Sequence, residues 1–227
     1  MKITWIGQAG LIFDSGRIKI MIDPYLSNSV EKVEPNNFRR VPVNEALFDV
    51  QPDVMIFTHD HLDHYDPETA PRFLEKTEKK ITVLSPRSVY QKVRMLGGGH
   101  NYVEFNRYTE WTEKNVRFTA VNAAHSDPQA IGVLIEDIES KKTYYITGDT
   151  LYNSEIFGDL PEEIEAVFFP INGVGNNMNV EDAQRFSKRT GAKKACPLHV
   201  GMFDEKTLDT FKAENRVILK LYEEKEI

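Results

Sequence analysis

The segment 58–64, with the sequence THDHLDH, places three imidazoles and two carboxylates within seven consecutive positions. Side chains two positions apart on an extended backbone point the same way, so His59 and His61 can bind one ion together. Asp63 and His64 are adjacent and point apart, so they cannot join that pair unless the loop turns. Histidines that cluster by chance rarely alternate with aspartates in this way. We therefore interpret the segment as a metal-binding loop that can serve two neighbouring ions.

Three later residues of ligand type are isolated in the sequence. His125, Asp149 and His199 each come within four positions after the end of an apolar run of strand length. Taken singly, each of them is more often a structural residue than a metal ligand. Their common position after a strand predicts that they point into the same cleft.

Apolar periodicity predicts the elements that carry these residues. Residues 54–57 form an apolar run of buried-strand length directly before the histidine-rich loop, and Asp66-Pro67 after the loop predicts a helix N-cap followed by proline at the first helical position. Strands in two batches, each followed by helices, indicate a mixed α/β (α+β) fold with two packed sheets and helices outside, in a single domain over residues 1–227. The predicted strands cover residues 3–6, 11–13, 18–22, 54–57, 81–84, 116–121, 131–135, 143–146, 164–171, 194–198 and 217–222, and the predicted helices cover residues 67–78, 86–96, 180–190 and 204–215.

The composition limits the function classes. A chain of 227 residues with 41% hydrophobic residues can bury a core of its own. Acidic residues outnumber basic ones by 35 to 28, and this excess disfavours a dedicated nucleic-acid binder. The single cysteine, Cys196, excludes an intramolecular disulfide. With no leader-like start and no apolar run long enough to cross a membrane, the chain is expected in the cytoplasm, without a membrane partner. The sequence leaves a homo-oligomer open.

The H-x-H-x-D-H motif and the later isolated ligands resemble the metallo-β-lactamase superfamily. This resemblance implies a hydrolase with a four-layer αββα sandwich fold and a two-metal site at one edge. The flavodiiron branch carries Glu at the position of His61, so a redox role is disfavoured. The superfamily pattern implies that a first metal is held by His59, His61 and His125, and a second by Asp63, His64 and His199, with Asp149 bridging the two.

The start of the chain carries a more particular resemblance. The sequence ITWIGQAG at residues 3–10, IDPYL at residues 22–26, the pair Arg39-Arg40 and NGVGNNM at residues 172–178 resemble the L-ascorbate-6-phosphate lactonase-like branch. That branch implies a small anionic substrate, a phosphorylated sugar lactone such as L-ascorbate 6-phosphate.

Imidazole and carboxylate ligands suit Zn²⁺ or Mn²⁺, and the resemblance implies two ions per chain. Two cations that share a water lower its pKa toward ~7 and so supply hydroxide, which would attack a lactone carbonyl. Asp149 or a metal-bound water would then protonate the ring oxygen. Two alternatives stay open. A phosphodiesterase or nuclease needs the same metal pair, and a non-catalytic metal-binding protein is disfavoured because the ligand set resembles an open site.

Other ionisable residues lie near the motif. Asp60 is predicted to act with Asp63 and Asp149 in catalysis, by hydrogen-bonding a ligand imidazole or the nucleophilic water, with an ordinary polar loop residue as the alternative. His100 is expected to be structural or exposed, because no ligand partner is near it in the sequence. Cys196 is expected to be a small buried hydrophobe.

Substrate contacts are predicted at five positions. Arg39 and Arg40 lie in an irregular polar segment, and their guanidinium groups match the geometry of a phosphate. Solvated surface charge is the alternative for both arginines. Tyr152, three residues after Asp149, could steady a substrate oxygen, although packing is the commoner role of a tyrosine. Asn172 and Asn177 are further candidates.

Overall fold

The computed structural model describes residues 1–75, 79–204 and 206–227, and its strands form two sheets. The strands are β1 (Lys2–Gly7), β2 (Gly10–Asp14), β3 (Lys19–Ile22), β4 (Val54–Ile56), β5 (Thr82–Ser85), β6 (Asn101–Glu104), β7 (Glu110–Glu113), β8 (Val116–Asn122), β9 (Ile131–Asp137), β10 (Lys142–Ile146), β11 (Ala166–Pro170), β12 (Lys194–Leu198) and β13 (Glu224–Glu226). The α-helices are α1 (Ser29–Val33), α2 (Ala70–Leu74), α3 (Arg87–Val93) and α4 (Val180–Thr190), and 3-10 helices cover Glu45–Asp49, Arg94–Leu96, Ser154–Asp159 and Leu208–Thr210.

Strand direction decides which loops meet. The first sheet has the order β13-β1-β2-β3-β4-β5-β6, and the second has the order β12-β11-β10-β9-β8-β7. Strands β3 to β6 are parallel neighbours, and so are β10 to β12. Strand β8 is antiparallel to β9, which is antiparallel to β10, so β8 runs in the direction of β10. The carboxyl ends of parallel strands lie at one edge of a sheet, and the loops that follow them gather there.

The two sheets pack face to face over one apolar core, because strands of both sheets turn apolar side chains inward. Phe13 of β2 lies 5.8 Å from the ring of Tyr144 in β10 and 5.4 Å from that of Phe168 in β11. The outer face of the first sheet forms a second cluster with Phe73 of α2, and the outer face of the second sheet forms a third with Phe186 of α4. The αββα arrangement predicted from the sequence is confirmed.

The helices begin and end largely where their capping residues predict. Asn179 accepts a hydrogen bond from the backbone N–H of Asp182 at 2.9 Å, and Gly191 ends α4 in the left-handed region. The Asp66 side chain accepts one from the backbone N–H of Glu68 at 3.0 Å, but only a turn forms there and α2 begins at Ala70. Positions 76–78 of that predicted helix lie outside the described residues. Within the described chain, no helix has the length and apolar character that crossing a bilayer needs.

The C-terminal predictions are wrong. In place of a helix over residues 204–215, the described residues there form only the short 3-10 helix. In place of a strand over residues 217–222, the chain crosses from one sheet to the other, because Val217 N–H donates to Ala195 O of β12 and Tyr222 N–H donates to Trp5 O of β1. The last strand is β13, which pairs with β1. Strands β6 and β7 were also absent from the prediction, because both are only partly buried and lack a long apolar run.

Candidate metal centre

The histidine-rich loop folds back on itself directly after β4. The backbone N–H groups of His64 and Tyr65 both donate to the carbonyl oxygen of His61, at 3.0 and 2.8 Å. This turn brings the His64 ring to 3.9 Å from the His59 ring, measured between centroids. Both rings are fully buried. This turn of the loop therefore allows the adjacent residues Asp63 and His64 to face one centre.

The three isolated residues of ligand type reach this loop from the second sheet. His125 follows β8 and places its Nε2 atom 3.2 Å from His61 Nδ1. His199 follows β12 and places its Nε2 atom 3.2 Å from His64 Nε2. Asp149 follows β10, and its Oδ1 atom lies 3.3 Å from His64 Nε2 and 3.2 Å from His199 Nε2. The strand order of the second sheet thus brings together side chains that are far apart in the sequence.

The seven side chains form overlapping groups in which one ligand atom from each member lies within 4.8 Å of the others. His59 and His64 each belong to more than one group, and Asp149 shares a group with both, which places it between the two halves of the cluster. The groups are His59, His61 and His125; His59, His64 and Asp149; and Asp63, His64 and His199.

The donor set fits divalent cations. His59 Nε2 and Asp149 Oδ1 are buried and have no hydrogen-bond partner among the described residues. A buried polar atom without a partner costs about 1–3 kcal/mol, which a bound cation would offset. Two ligand atoms at tetrahedral positions around zinc lie roughly 3.3 Å apart, close to the 3.2 Å that separates His64 Nε2 from His199 Nε2. Histidine nitrogens and carboxylate oxygens are the ligands of such sites.

Hydrogen bonds on the far side of three rings leave Nε2 facing the cluster. The buried carboxylate of Asp23 lies 2.8 Å from His64 Nδ1 and also accepts from Thr58 Oγ1 at 2.6 Å. Since Thr58 Oγ1 donates to Asp23, it accepts from His59 Nδ1, which lies 3.1 Å away. His125 Nδ1 donates to a backbone carbonyl oxygen, that of residue 176, at 3.0 Å. A proton on Nδ1 leaves the Nε2 lone pair for a metal.

Burial and neighbouring charges both shift the pKa values of the buried side chains. Burial, together with the neighbouring His64, lowers the pKa of His59 well below its usual range. Burial also opposes the charge on His199, but the carboxylates of Asp149 and Asp63 raise the pKa of His199 to about 10. The pKa of Asp149 is held well below its usual value against burial, by His199 and His64. The carboxylates therefore favour positive charge at the cluster, carried by protonated imidazoles or by cations.

Amide side chains hold the other ligand candidates. Asn177 Nδ2 donates to Asp149 Oδ2 at 2.7 Å, and Asn172 Nδ2 lies 3.0 Å from His199 Nδ1. Gln8 Nε2 donates to Asp63 Oδ2 at 2.8 Å. Asn172 and Asn177 therefore orient metal-ligand candidates, and since both also line the cleft, their predicted contact with a substrate stays a prediction.

Asp60 has a different partner from the predicted one. Its Oδ2 atom accepts from Lys92 Nζ at 2.8 Å, at the outer part of the cleft. The ligand imidazole of His61 lies instead 3.2 Å from Ser126 Oγ. The described contacts therefore pair the Asp60 carboxylate with a lysine and not with a ligand imidazole, and its predicted hydrogen bond to the nucleophilic water stays a prediction.

The predicted arginine clamp faces the protein. Arg39 donates through Nε to Val41 O at 2.8 Å, through Nη1 to Tyr25 O at 2.7 Å and through Nη2 to Tyr222 Oη at 3.1 Å. Arg40 donates through Nε to the carbonyl oxygen of residue 203 at 3.0 Å. Neither side chain lines the cleft over the metal-ligand candidates. A phosphate clamp at these arginines stays a prediction that their contacts do not favour.

Three other residues singled out in the sequence, Tyr152, His100 and Cys196, have their described contacts outside the cluster. Tyr152 packs against Phe157 and Phe186, and its hydroxyl accepts from Arg189. His100 is buried and donates through Nε2 to a backbone carbonyl, so it is structural as expected. Cys196 is fully buried, and burial raises the pKa of its thiol to about 12, which fits a small hydrophobe and not a nucleophile.

Asp23 and Gln8 are functional positions that the sequence analysis did not assign. Both have positive φ angles, 43° for Asp23 and 50° for Gln8, and His199 shares this property at 64°. Side chains other than glycine rarely adopt this backbone, and such strain concentrates at functional sites. The available sequence signal for Asp23 was an aspartate directly after the apolar residues of β3, where a carboxylate is expected to be buried and to need a partner.

A cleft of about 520 Å³ opens over the cluster. Ligand candidates from both sheets line it, among them His61, Asp63, His125 and His199. The metal-ligand atoms are therefore within reach of a small molecule, as a catalytic site requires and a closed structural site does not.

The comparisons with known proteins agree with this geometry. The sequence profile of the family described as "Beta-lactamase superfamily domain" matches residues 19–200. The chain belongs to this superfamily. The superfamily and its fold, both predicted from the motif, are confirmed, and the chain is a metal-dependent hydrolase of the metallo-β-lactamase superfamily.

Relatives within the superfamily cover nearly the whole chain. UPF0173 protein PF0020 of Pyrococcus furiosus is 28% identical over 94% of this chain and 90% of its own length. The UPF0173 metal-dependent hydrolase YtkL of Bacillus subtilis is 26% identical over 89% of this chain and 87% of its own length. The crystal structure of a protein described as "a possible metal-dependent hydrolase" of Veillonella parvula has a TM-score of 0.78, is 16% identical and covers 100% of this chain and 99% of its own. This last likeness shows the fold.

Proposed function

We propose that the protein is a lactonase, a hydrolase that opens a small cyclic ester with Zn²⁺ or Mn²⁺ at the cluster. The observation that carries the proposal is that His59 Nε2 and Asp149 Oδ1 are buried and make no hydrogen bond within the described residues, while Asp149 lines an open cleft. Two cations held by the seven side chains would lower the pKa of water toward ~7 and polarise a carbonyl oxygen. Hydrolysis adds the oxygen of water to the carbonyl carbon, and the bond from that carbon to the ring oxygen breaks.

The protein's own groups keep the reacting geometry fixed. Asp23 prevents the His64 ring from rotating, and Asn177 holds one oxygen of Asp149 while the other oxygen faces the cluster. In this proposal either Asp149 or a metal-bound water carries a proton from the attacking water to the departing ring oxygen. Preorganised groups of this kind spare the reaction the cost of ordering them.

The charge of the residues that line the cleft favours a carboxylic ester as substrate over a phosphate ester. Among the described residues that line the cleft, none is lysine or arginine. Phosphate recognition ordinarily uses such side chains, and neither Arg39 nor Arg40 is turned toward the cleft. The anionic substrate and the phosphorylated sugar lactone that the resemblance implies stay proposals, and the cleft supports the lactone more than the phosphate.

The test uses protein stripped of metal and then loaded with Zn²⁺ or Mn²⁺. The loaded protein is expected to hydrolyse γ-butyrolactone, followed by acid release in a weakly buffered solution with a pH indicator, and to leave bis(p-nitrophenyl) phosphate unchanged. His61→Ala is expected to abolish turnover, while His100→Asn, which changes a histidine outside the cluster, retains it. Hydrolysis of the phosphodiester alone would replace the lactonase by a phosphodiesterase. Inertness toward both, with metal bound, would leave a metal-binding protein.

A further inference from the structure

The cleft has an apolar wall beside the metal-ligand candidates. Val30 and Val33 come from α1, Val174 comes from the loop after β11, and Phe203 comes from the loop after β12. Val33 is 65% exposed and Val174 is 59% exposed. Three separate segments therefore present apolar side chains to one opening. Because Val33 and Val174 stay mostly exposed, their burial contributes little to the stability of the folded protein.

This wall is held in place. The Phe203 ring packs against the Tyr25 ring, with centroids 5.7 Å apart and the planes nearly perpendicular. The Phe203 carbonyl oxygen accepts from Arg40 Nε at 3.0 Å. Tyr25 is fully buried, so the ring that supports Phe203 belongs to the core. An apolar group that enters the cleft meets a preformed surface, which lowers the entropic cost of binding it.

The charged groups in the same wall are acidic. Glu34 follows α1 directly, and it lines the cleft together with Asp60. Since Asp60 is paired with Lys92, its charge is partly compensated by a lysine outside the lining residues. A phosphate that extended from the metal-ligand candidates along this wall would meet Glu34, the valines and no arginine or lysine from the described lining. An uncharged group would meet no such repulsion.

We propose that the part of the substrate that extends away from the metal centre is an uncharged alkyl group, and that Val33 and Val174 determine this specificity. The proposal rests on the proposed lactonase function and names its substrate class: a lactone with an aliphatic substituent, without a phosphate. The substituent lies between α1 and the loop after β11, and the cyclic ester lies over the histidines. Burial of alkyl carbon against the valines supplies the binding free energy that a phosphate clamp would otherwise supply.

The test measures kcat/KM of the metal-loaded protein on γ-lactones with unbranched alkyl substituents of zero, two, four and six carbons, and on a phosphorylated sugar lactone. Each methylene buried in the transition state contributes about 0.8 kcal/mol, or roughly a fourfold gain in kcat/KM, until the wall is filled. We expect the long-chain lactones to exceed the unsubstituted one by at least tenfold. The phosphorylated lactone is expected to be the poorest substrate.

Two variants locate the effect. Val33→Asp and Val174→Asp are expected to reduce the ratio of kcat/KM between long-chain and unsubstituted lactone by at least fivefold, while Val33→Ile retains it. Both valines are mostly exposed, so the aspartate variants are expected to fold. Met95→Asp, at a side chain 78% exposed outside the cleft lining, is the matched control and is expected to leave the ratio unchanged.

The outcomes separate the two proposals. Inertness toward every lactone overturns the lactonase and this inference together. Hydrolysis of lactones with a chain-length ratio near one, a preference for the phosphorylated lactone, or a ratio that the aspartate variants leave unchanged overturns the alkyl specificity alone.

Discussion

Asp23 Oδ2 lies 2.8 Å from His64 Nδ1, and both side chains are fully buried. The two residues reach each other because β3 and β4 are parallel neighbours, so the residue after β3 and the loop after β4 leave the sheet at the same edge. A carboxylate behind a metal-binding imidazole fixes the ring and raises its basicity. Asp23 is therefore a positioning residue for the metal centre.

Asp23→Asn tests this role with little change of shape. Asparagine also tolerates the positive φ angle of this position, but it accepts hydrogen bonds less strongly and offers only one acceptor oxygen to Thr58 and His64. We expect metal affinity to fall about 10-fold to 100-fold, measured by competition with a chromogenic chelator. Asp66→Asn, at a buried aspartate whose side-chain hydrogen bonds within the described residues stay in its own turn, is the control. Equal affinity of Asp23→Asn and the wild type would remove Asp23 from the metal centre.

Gly148 supports Asp149 through its backbone. Its φ is +60°, and a Cβ atom there would lie 2.9 Å from Thr58 Cβ and 3.0 Å from Ile131 O. Gly191 has a similar φ of +64° with nothing within 4 Å of its Cβ position, so it isolates the cost of the backbone conformation. We expect Gly191→Ala to lower the free energy of unfolding by about 1 kcal/mol and Gly148→Ala by roughly 2–4 kcal/mol. Urea denaturation of metal-free protein measures both, and equal losses would mean that the contacts of Gly148 do not matter.

Asp159 gives the stability a dependence on pH. Arg107 donates to both of its carboxylate oxygens, at 2.7 and 2.8 Å, and these bonds hold the pKa of Asp159 below its usual value. A pKa lowered in the folded state contributes stability that is present above the unfolded pKa of about 4 and is lost as the pH falls through the folded pKa. Since Arg107 is partly exposed, we expect Asp159→Asn to cost roughly 1 kcal/mol at pH 7.

The difference between wild type and Asp159→Asn should therefore shrink as the pH is lowered from 7 to 3, in urea denaturation at each pH. The exposed Asp209 provides the comparison, because Asp209→Asn is expected to change little at either pH. A difference that stays constant between pH 7 and pH 3 would show that the carboxylate charge of Asp159 does not contribute.

Arg39→Lys separates the structural role of Arg39 from the predicted clamp. Arg39 contacts Tyr25, Val41 and Tyr222 through three different nitrogens of its planar guanidinium group. Lysine has a single nitrogen, so the three contacts cannot all be kept. We expect the free energy of unfolding to fall by about 1–3 kcal/mol and KM for lactones to stay within twofold. A tenfold rise in KM for a phosphorylated lactone, with the unfolding free energy unchanged, would restore the clamp.

The sequence identified the ligand candidates that the fold brings together better than it identified the residues that contact them. His59 to His64 are local, and their types and spacing carry the chemistry without knowledge of the fold. The superfamily resemblance linked His125, Asp149 and His199 to this loop, and the fold brings them there because strands of common direction end at one edge. Asp23 and Gln8 were not assigned, since their role depends on which loops become neighbours. The clamp at Arg39 stays a prediction, because nothing in an irregular segment of sequence tells whether a side chain points inward or outward.

The C-terminal errors have a similar cause. Residues 217–222, with the sequence VILKLY, are mostly apolar, as is typical of a strand, yet the chain from residue 216 to residue 221 spans both sheets and forms one isolated bridge with each. A local sequence pattern indicates which residues are buried, but not which strand they pair with.

The metal content of the purified protein, measured on the same sample as its hydrolytic turnover, tests the central claim most directly. We predict about two Zn²⁺ or Mn²⁺ ions per chain in the wild type, loss of most of this metal and of turnover in His64→Ala, and retention of both in His100→Asn. Full turnover in His64→Ala, or in wild type after complete removal of metal, would contradict the account.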